Sequence, residues 1–341
     1  MDKKAVMTNV FGEKFRVMTW GESHGKAIGA VIDGCPAGLE LDESDLFKEL
    51  EARRPGYSSF TSPRKETDYC EILSGVFEGK TTGAPISLMI RNQDADSSNY
   101  KNLASVLRPG HANYTFLEKY GIFDYRGGGR ASARETACRV AAGAVALKLL
   151  KKMNIEVVSY LSGVGELEIN KKLIPSCWEK VRQEPLFCPD VCLRKEAEAL
   201  IESAKEEKDS LGGRVGFCIY NLPTGLGEPL FNKSQAVLGH ALLSLPAVKG
   251  FELGEGFQSS LMKGSVYNDV FVKDEGKVVT KTNHQGGMQA GVTNGMPVWG
   301  QVAFKPISSI KRPQETLNMQ GDSVTAEVSK KSRHDPCTVI R

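Results

Sequence analysis

The stretch Gly127-Gly-Gly-Arg-Ala-Ser-Ala-Arg-Glu135 leads from a glycine loop into residues 136–152, whose apolar side chains recur at helical spacing. Three glycines let the backbone approach a ligand closely, and a helix entered from such a loop favours anions at its N-terminus. Ser132 and Glu135 have the spacing of a capping box. A capped surface helix would also fit this pattern, but the two arginines can bind phosphate or carboxylate and favour an anion site.

Composition limits the kind of protein and the kind of partner. The chain has 341 residues with 40% hydrophobic and 25% charged side chains, as is typical of a globular protein. Its net charge of +3, from 44 basic and 41 acidic residues, predicts neither nucleic acid nor membrane as a partner. No apolar run has the length of a spanning helix or a secretory signal. Eight dispersed cysteines without a CxxC pair predict a cytoplasmic location and no metal site.

Two pairs of segments resemble each other across the chain. In the first pair, an apolar run ends in Pro-x-Gly-Leu and precedes a helix-like stretch. In the second pair, a Gly-x-Pro turn opens an apolar strand. The pairs are residues 27–39 with 213–226, and residues 74–90 with 286–304, offset by 187 and 212 residues. The alternative is a chance similarity between glycine-rich strands, but the two matched pairs favour an internal duplication.

Strands and helices alternate without the regular spacing of βαβ units, which predicts an α+β fold in one domain, residues 1–341. We predict pseudo-repeats at about residues 15–150 and 210–341. Between them, a charged and weakly periodic region at about 165–209 predicts a helical excursion.

Two of the five histidines lie in glycine-flanked loops. His24 lies in Gly21-Glu-Ser-His-Gly25, directly after a predicted strand, and His111 lies in Arg108-Pro-Gly-His-Ala112. Imidazole has an ordinary pKa of about 6.5 and serves as a general acid or base near neutral pH. A single loop histidine is more often a solvated surface residue, but two in such settings favour a catalytic site.

Cationic side chains recur near glycine, histidine or serine in predicted loops, a distribution that suits a ligand with several negative groups. Arg333-His-Asp-Pro-Cys337 places a carboxylate beside two basic groups, which suits proton transfer, although Asp before Pro also opens turns. Lys305-Pro-Ile-Ser-Ser309 offers a cation and two hydroxyls as a phosphate contact.

Six segments, in order along the chain, resemble motifs of the chorismate synthase family. They are Phe15-Arg-Val-Met-Thr-Trp-Gly-Glu-Ser-His-Gly25, Arg53-Arg-Pro-Gly56, Arg108-Pro-Gly-His-Ala112, Tyr125-Arg-Gly-Gly-Gly-Arg-Ala-Ser-Ala-Arg-Glu-Thr136, Lys305-Pro-Ile-Ser-Ser309 and Arg333-His-Asp-Pro-Cys337. The resemblance implies a β–α–β sandwich, usually a homotetramer. It also implies a reduced-FMN-dependent anti-1,4 elimination of phosphate from 5-enolpyruvylshikimate 3-phosphate, which gives chorismate in the shikimate pathway.

The resemblance also implies roles for individual residues. His111 would protonate the reduced flavin, His24 the departing phosphate, and Asp335 would assist flavin N5 in removing the C6 proton of the substrate. Substrate-binding residues would be Ser23, Arg53, Arg54, Arg108, Arg134 and Arg333. Cofactor-binding residues would be Arg130, Ala131, Ser132, Pro246, Ala247, Ala290, Lys305, Pro306, Ile307, Ser308, Ser309 and Arg333.

Three positions depart from the family pattern. Ala131 and Pro246 stand where many relatives carry serine and asparagine, which removes two side-chain contacts to flavin. NADPH as reductant would involve Arg53 and Ser59, but Ser59 replaces an arginine that several relatives use for NADPH. An external flavin reductase is the other source of reduced flavin. The resemblance also implies a further helix beyond the last motif, where relatives continue.

Two other functions fit the same residues. One is a flavoprotein oxidoreductase that acts on an anionic substrate, and the other is a binding module for a phosphorylated ligand.

Overall fold

The computed structural model describes residues 9–54, 60, 66–93, 103–169, 174–328 and 335–340. Its α-helices are α1 (Glu43–Arg53), α2 (Asn113–Tyr120), α3 (Thr136–Lys152), α4 (Trp178–Gln183), α5 (Val191–Glu206), α6 (Ser234–Leu243) and α7 (Gly264–Tyr267). Its strands are β1 (Val10–Phe11), β2 (Arg16–Gly21), β3 (Ala27–Asp33), β4 (Cys70–Ile72), β5 (Val76–Phe77), β6 (Lys80–Thr81), β7 (Ile86–Arg91), β8 (Glu156–Val164), β9 (Leu167–Glu168), β10 (Gly213–Tyr220), β11 (Val248–Leu253), β12 (Phe271–Asp274), β13 (Lys277–Thr280), β14 (Met288–Gln289), β15 (Val292–Thr293), β16 (Val298–Phe304), β17 (Gln314–Leu317) and β18 (Ser323–Ala326).

Two five-stranded antiparallel sheets form the frame. The first has the order β1-β2-β3-β7-β4, and the second has the order β11-β16-β10-β8-β9. Within the described residues, the other strands form two-stranded hairpins. The chain is divided below into a first half, residues 9–153, which contains the first sheet, and a second half, residues 154–340, which contains the second.

The first sheet buries one face against α1 and α3. The inward side chains of β3 and β7 are Ile28, Ala30, Ile32, Ile86, Leu88 and Ile90, and all are fully buried. Helix α3 contributes small residues, mainly alanines, to the same core, which lets the helix lie close to the sheet. Helix α1 begins at Asp42, whose side chain accepts the Ser44 and Asp45 N–H groups in a capping box.

The second sheet has two apolar clusters. In one, the strand residues Val158 and Leu161 pack with Ala197 and Ile201 of α5. In the other, Phe217, Val298 and Val302 pack with partly buried side chains of α6 and β11. Helix α5 thus packs on the first cluster, and helix α6 packs on the second.

The helices of the two halves meet in the middle. Arg182 of α4 donates to Glu49 of α1 at 3.2 Å, and Arg139 of α3 donates to Ser244, which directly follows α6, at 2.6 Å. The molecule is therefore a sheet–helix–sheet sandwich, as the family resemblance implied, and an α+β fold, as the order of strands and helices predicted. Among the described residues, no helix combines the length and the apolar character that crossing a bilayer requires.

The two halves share one topology. Strands β2, β3, β7 and β4 are neighbours in the first sheet in the same order as β8, β10, β16 and β11 in the second. Helix α1 follows β3 as α6 follows β10, and the short hairpins β5–β6 and β14–β15 precede β7 and β16. This recurrence agrees with the predicted internal duplication, while the residue bounds of the pseudo-repeats stay a prediction.

Hydrogen bonds repeat at the predicted offsets as well. The Thr81 hydroxyl accepts the Leu39 N–H at 2.9 Å and donates to the Pro36 carbonyl at 2.6 Å. The Thr293 hydroxyl accepts the Leu226 N–H at 2.9 Å and donates to the Pro223 carbonyl at 2.7 Å. A buried threonine therefore closes the Pro-x-Gly-Leu turn in each half.

Several helices lie where the sequence predicted them, but one predicted helix cap is absent. Helix α3 has the predicted bounds. The helix-like stretches expected after the two Pro-x-Gly-Leu turns are present as α1 and α6, and the charged region at about 165–209 contains α4 and α5. The prediction of a capping box between Ser132 and Glu135 is wrong. Ser132 instead caps a 3₁₀ turn by accepting the Arg134 N–H, because the Glu135 carboxylate binds Thr19 and Arg139.

We expect Thr81→Val and Thr293→Val each to lower the free energy of unfolding by about 1–3 kcal/mol, because each removes a buried hydroxyl that bonds both an N–H and a carbonyl of its turn. Urea unfolding measures both variants. The matched control is Thr325→Val, whose exposed hydroxyl donates to Glu315 at 3.1 Å and should matter by less than about 0.5 kcal/mol. A lower free energy of unfolding in only one of the two variants would contradict the structural equivalence of the two turns.

Candidate active site

A cavity of about 600 Å³ lies between the two halves. The first half contributes His24, Arg53, the loop around His111 and the glycine loop before α3, and the second half contributes Pro246, Ala247 and residues 305–309. Among the described residues, six cationic side chains line it, against two carboxylates. The cations are Arg53, Arg108, Arg130, Arg134, Arg139 and Lys305, and the carboxylates are Glu135 and Asp335.

Behind the cavity, the Asp68 carboxylate holds two of these arginines together. It is almost fully buried and pairs with Arg53 Nη1 at 3.0 Å and with Arg134 Nη1. Burial alone would raise the pKa of Asp68, but the Arg134 and Arg53 guanidiniums outweigh it and hold that pKa below its usual value. Asp68 therefore stays ionised and offsets the repulsion between the two guanidiniums.

Arg134 is the most deeply buried of the cavity arginines, with 4% of the residue exposed. Its Nε donates to Asn92 Oδ1 at 2.9 Å and its Nη1 to Asp68. Among the described residues, Nη2 has no hydrogen-bond partner, and the Glu66 carboxylate lies 3.8 Å from it. A buried guanidinium nitrogen without an acceptor is costly, so this atom is suited to an oxygen of an anionic ligand.

Arg130 lines the same cavity, but its guanidinium is directed to strand β2. Nη2 donates to the Thr19 carbonyl at 3.0 Å and to the Thr19 hydroxyl at 2.8 Å, and Nη1 donates to the Gly21 carbonyl at 3.3 Å. The side chain thus anchors the glycine loop to the first sheet. A cofactor contact from this position would use the Arg130 backbone or the remaining capacity of its side chain.

His24 lies against the glycine loop. Its Nδ1 is 3.0 Å from the hydroxyl of the buried Ser23, which orients the ring. Gly127 has φ +131°, and a Cβ at that position would lie 2.5 Å from His24 Nδ1. Glycine is required here because any side chain would displace the imidazole.

Asn113, Arg108 and Phe123 contact the His111 ring. The Asn113 N–H donates to Nδ1 at 3.2 Å, Arg108 Nη2 lies 2.7 Å from Nε2, and the Phe123 ring meets the imidazole edge-on at 6.0 Å. Arg108 Nη2 also lies 3.1 Å from Nδ1, so the guanidinium can donate to whichever ring nitrogen of a neutral imidazole is the acceptor. The ring can therefore carry its proton on either nitrogen, which suits a group that transfers protons.

Lys305 joins the second half to the histidine loop. Its Nζ donates to the Gly110 carbonyl at 3.1 Å and to Ser308, whose hydroxyl donates to the same carbonyl at 2.7 Å. Burial, and to a lesser degree the charge of Lys249, lower the pKa of Lys305. These contacts place a cation and a hydroxyl beside the loop that carries His111.

The structure brings most of the predicted site residues to the cavity. They are His24, Arg53, Arg108, His111, Arg130, Ala131, Ser132, Arg134, Pro246, Ala247, Lys305, Pro306, Ile307, Ser308, Ser309 and Asp335. Ser23 lies just behind the cavity wall, through its contact with His24. Arg333 and Ser59 lie outside the described residues.

Besides Ser23, two described residues of the predicted set do not line the cavity. Arg54 follows the end of α1, and its side chain lies 3.8 Å from Glu51. Ala290 is exposed at the turn between β14 and β15, with φ +51°. Their ligand contacts stay predictions. Of the remaining histidines, His240 is exposed on α6, and His284 pairs with Glu255 at 3.2 Å.

Several lining residues were missed by the sequence reasoning, among them Asn9, Glu135, Arg139, Ser244 and Thr338. Glu135 and Arg139 are four residues apart, the spacing of a helical ion pair, and that signal could have found them. No sequence signal singled out Ser244, because its partner Arg139 is 105 residues away.

The fold and the cavity define an enzyme of the phosphate-handling, acid–base class, with a polyanion site built from arginines beside two histidines and a carboxylate. The family model for chorismate synthase matches residues 15–341. The chain belongs to the chorismate synthase family.

Individual relatives agree with this assignment. The chorismate synthase of Protochlamydia amoebophila is 50% identical, and that of Christiangramia forsetii is 49% identical; each alignment covers 98% of this chain and 92% of the relative. A crystal structure of chorismate synthase superposes with a TM-score of 0.74 at 35% identity, covering 87% of this chain and 85% of the other.

The chain is thus a carbon–oxygen lyase of the shikimate pathway, which releases phosphate from 5-enolpyruvylshikimate 3-phosphate and forms chorismate. Family membership also implies a flavin cofactor.

We expect Asp68→Asn to lower the free energy of unfolding by about 3–5 kcal/mol at neutral pH, because it leaves two buried guanidiniums without their carboxylate. The folded-state pKa of Asp68 is below its unfolded value of about 3.9. Its stabilisation is therefore complete above that unfolded value and is lost as pH falls through the folded pKa.

Urea unfolding of the wild type and the variant at neutral and acidic pH measures this difference. Asp33→Asn is the matched control, because the Asp33–Arg16 pair is exposed and should contribute about 0–1 kcal/mol. A difference between wild type and Asp68→Asn that persists unchanged at acidic pH would contradict the assignment.

Proposed function

We propose that the flavin is FMN in its reduced form, bound in the cavity beside the phosphorylated substrate. The observation that carries this proposal is the convergence of separate motifs on one cavity, including the glycine loop and residues 305–309. A volume of about 600 Å³ is within the range of roughly 300–1,000 Å³ that small-molecule sites occupy. The excess of cations suits a cofactor and a substrate that both carry phosphate.

For FMN, we propose contacts from three segments: residues 130–132, Pro246 with Ala247, and residues 305–309. Lys305 and Ser308 supply a cation and a hydroxyl for an anionic or carbonyl group of the cofactor. Ala131 and Pro246 carry no polar side-chain atom, so binding at these two positions depends on the backbone and on packing. Ala290 and Arg333 complete the proposed set.

For the substrate, we propose that Arg134 is the central anchor, because its buried Nη2 has no hydrogen-bond partner among the described residues. A charge-assisted hydrogen bond from this nitrogen would neutralise one oxygen of a phosphate or carboxylate. Arg53 and Arg108 lie on the same cavity wall, and Ser23, Arg54 and Arg333 complete the proposed set.

We propose that His24 donates a proton to the departing phosphate and that His111 holds a proton for the cofactor. Asp335, buried at the cavity edge, assists in removing the C6 proton of the substrate. The C3–oxygen bond breaks with its electron pair leaving on phosphate, and the C6 proton leaves, so a second ring double bond forms without net oxidation. Reduced FMN, when bound, supplies electron density that eases departure of the allylic phosphate.

We propose that a separate flavin reductase uses NADPH to supply the reduced cofactor. Ser59 lacks the cationic side chain that several relatives use at this position. Arg53, the other predicted NADPH contact, is already bonded to Asp68, the Ala133 carbonyl and Thr136. Both facts favour an external source of reduced flavin.

We further propose a homotetramer in the cytoplasm. Large apolar side chains such as Phe231, Phe257 and Leu261 are at least 79% exposed, and surfaces of this kind often mark contacts between subunits. All eight cysteines are free thiols, which suits a reducing compartment.

Stoichiometry separates the elimination from the alternative, a flavoprotein oxidoreductase. Under anaerobic conditions with dithionite-reduced FMN, we expect many phosphate molecules released per reduced flavin, because the reaction consumes no electrons overall. A substrate-driven oxidation of one flavin for each turnover would contradict the proposal.

With NADPH as sole reductant, we expect phosphate release only after a flavin reductase is added. Turnover with NADPH alone would contradict the proposal that a separate flavin reductase supplies the reduced cofactor.

We expect His24→Ala and His111→Ala each to lower kcat by roughly 10²–10⁴-fold, the usual contribution of a general acid or base. The measurement is phosphate release with reduced FMN at saturating substrate. His240→Ala is the matched control, because this exposed histidine of α6 contacts the edge of the Phe11 ring at 5.3 Å and is not among the described residues that line the cavity. Unchanged rates for both site variants would refute the proton-transfer roles.

A further inference from the structure

The Arg139 side chain bridges the two walls of the cavity. On the first half, its Nε donates to Glu135 Oε2 at 2.9 Å. On the second half, its Nη1 donates to the Ser244 hydroxyl at 2.6 Å and its Nη2 to the Ser244 carbonyl at 3.1 Å. One guanidinium therefore uses all three of its nitrogens to connect residues that are far apart in sequence.

The second-half end of this bridge lies where α6 terminates. The Ser244 hydroxyl donates to the Ala241 carbonyl at 2.6 Å, so its lone pairs are available to accept from Arg139. The Ser244 carbonyl belongs to the helix end, where carbonyls lack intrahelical partners and a cation is favourable. Arg139 thus satisfies both polar groups of Ser244.

Two residues further on, the chain forms the Pro246–Ala247 wall. Ala247 has φ +70°, an unfavourable backbone conformation for alanine that persists only where neighbouring contacts impose it. The Ala247 carbonyl accepts the Lys305 N–H at 2.9 Å. The wall is therefore held at one end by Arg139 and at the other by the Lys305 backbone.

The first-half end of the bridge leads to the glycine loop. Glu135 is 4% exposed and accepts the Thr19 hydroxyl at 2.7 Å, and its Oε1 lies 4.0 Å from Arg130 Nη2. The Thr19 hydroxyl in turn accepts a hydrogen bond from Arg130 Nη2. Arg139 is thus linked through one buried carboxylate to the loop that carries residues 130–132.

We propose that Arg139 is a positioning residue that sets the separation between the glycine loop and the Pro246–Ala247 wall, so that the flavin site is shaped before flavin binds. A preformed site loses less conformational entropy when its ligand arrives, which increases affinity. This inference rests on the proposed assignment of both segments to FMN.

The chain contains a matched control. Arg182 also joins helices of the two halves, through Glu49 at 3.2 Å and the Lys48 carbonyl, and it is similarly half-buried. Arg182 does not line the cavity. Arg182→Met and Arg139→Met should both reduce the unfolding temperature, but only Arg139→Met should alter the flavin site.

The first measurement is FMN affinity, with oxidised FMN titrated into the flavin-free full-length protein. For Arg139→Met we expect Kd to rise by about tenfold, the size typical of losing a residue that orients a binding group. Arg139→Lys should lie between wild type and Arg139→Met, because one ammonium cannot reproduce the planar fork. At saturating reduced FMN and substrate, kcat should stay within about threefold of wild type, since binding is impaired and chemistry is not.

The second measurement is hydrogen–deuterium exchange of residues 244–250 in the flavin-free protein. Exchange should accelerate in Arg139→Met and stay at the wild-type rate in Arg182→Met. Unchanged exchange would overturn the positioning role and leave the assignment of FMN to this wall intact. Faster exchange with unchanged FMN affinity would overturn the inference and also the proposed place of FMN at Pro246–Ala247.

Discussion

Repulsion between the cations at the cavity is the constraint on which the site depends. Two like charges roughly 4 Å apart repel by about 4 kcal/mol at an effective dielectric constant of about 20. The protein must therefore hold its arginines together before any anion arrives, and it does so with carboxylates placed behind them. Asp68 pairs with Arg53 and Arg134, and Glu135 pairs with Arg139 and approaches Arg130. The donors are consequently oriented in advance, which is how enzymes stabilise charge without reorganising during the reaction.

The duplicated architecture explains where this cavity lies. Each half has the same strand order and the same threonine-closed turn, and each covers one face of its sheet with helices. Joining the halves through their helical layers leaves the loops of both at one junction. The halves then diverge in function, because the first contributes the two histidines and most cations, and the second contributes the Pro246–Ala247 wall and residues 305–309. Symmetry in the scaffold thus supports an asymmetric site.

Local patterns predicted what local interactions determine. Helix α3 has the expected bounds because its apolar period and glycine entry are contained in the sequence around it. The Ser132–Glu135 capping box failed because Glu135 has a better partner in Thr19, 116 residues away. Asp68 and Ser244 were not predicted for the same reason. Each binds an arginine that is distant in sequence and that only folding brings close. The family resemblance predicted ligand-site positions, but it could not tell which cations bind the protein itself.

The cavity arginines differ in whether their guanidinium nitrogens bond to other protein groups. Arg130 directs its guanidinium to β2, and Arg139 donates from all three of its nitrogens to Glu135 and Ser244, so both act mainly on the shape of the cavity. Arg134 differs, because the same burial that fixes its Nε and Nη1 leaves Nη2 without an acceptor among the described residues. A buried donor kept in this state is a cost to the folded protein that an incoming anion relieves. The supporting arginines are thus satisfied by the protein, and Arg134 keeps a donor that, under the proposed assignment, an oxygen of the substrate would accept.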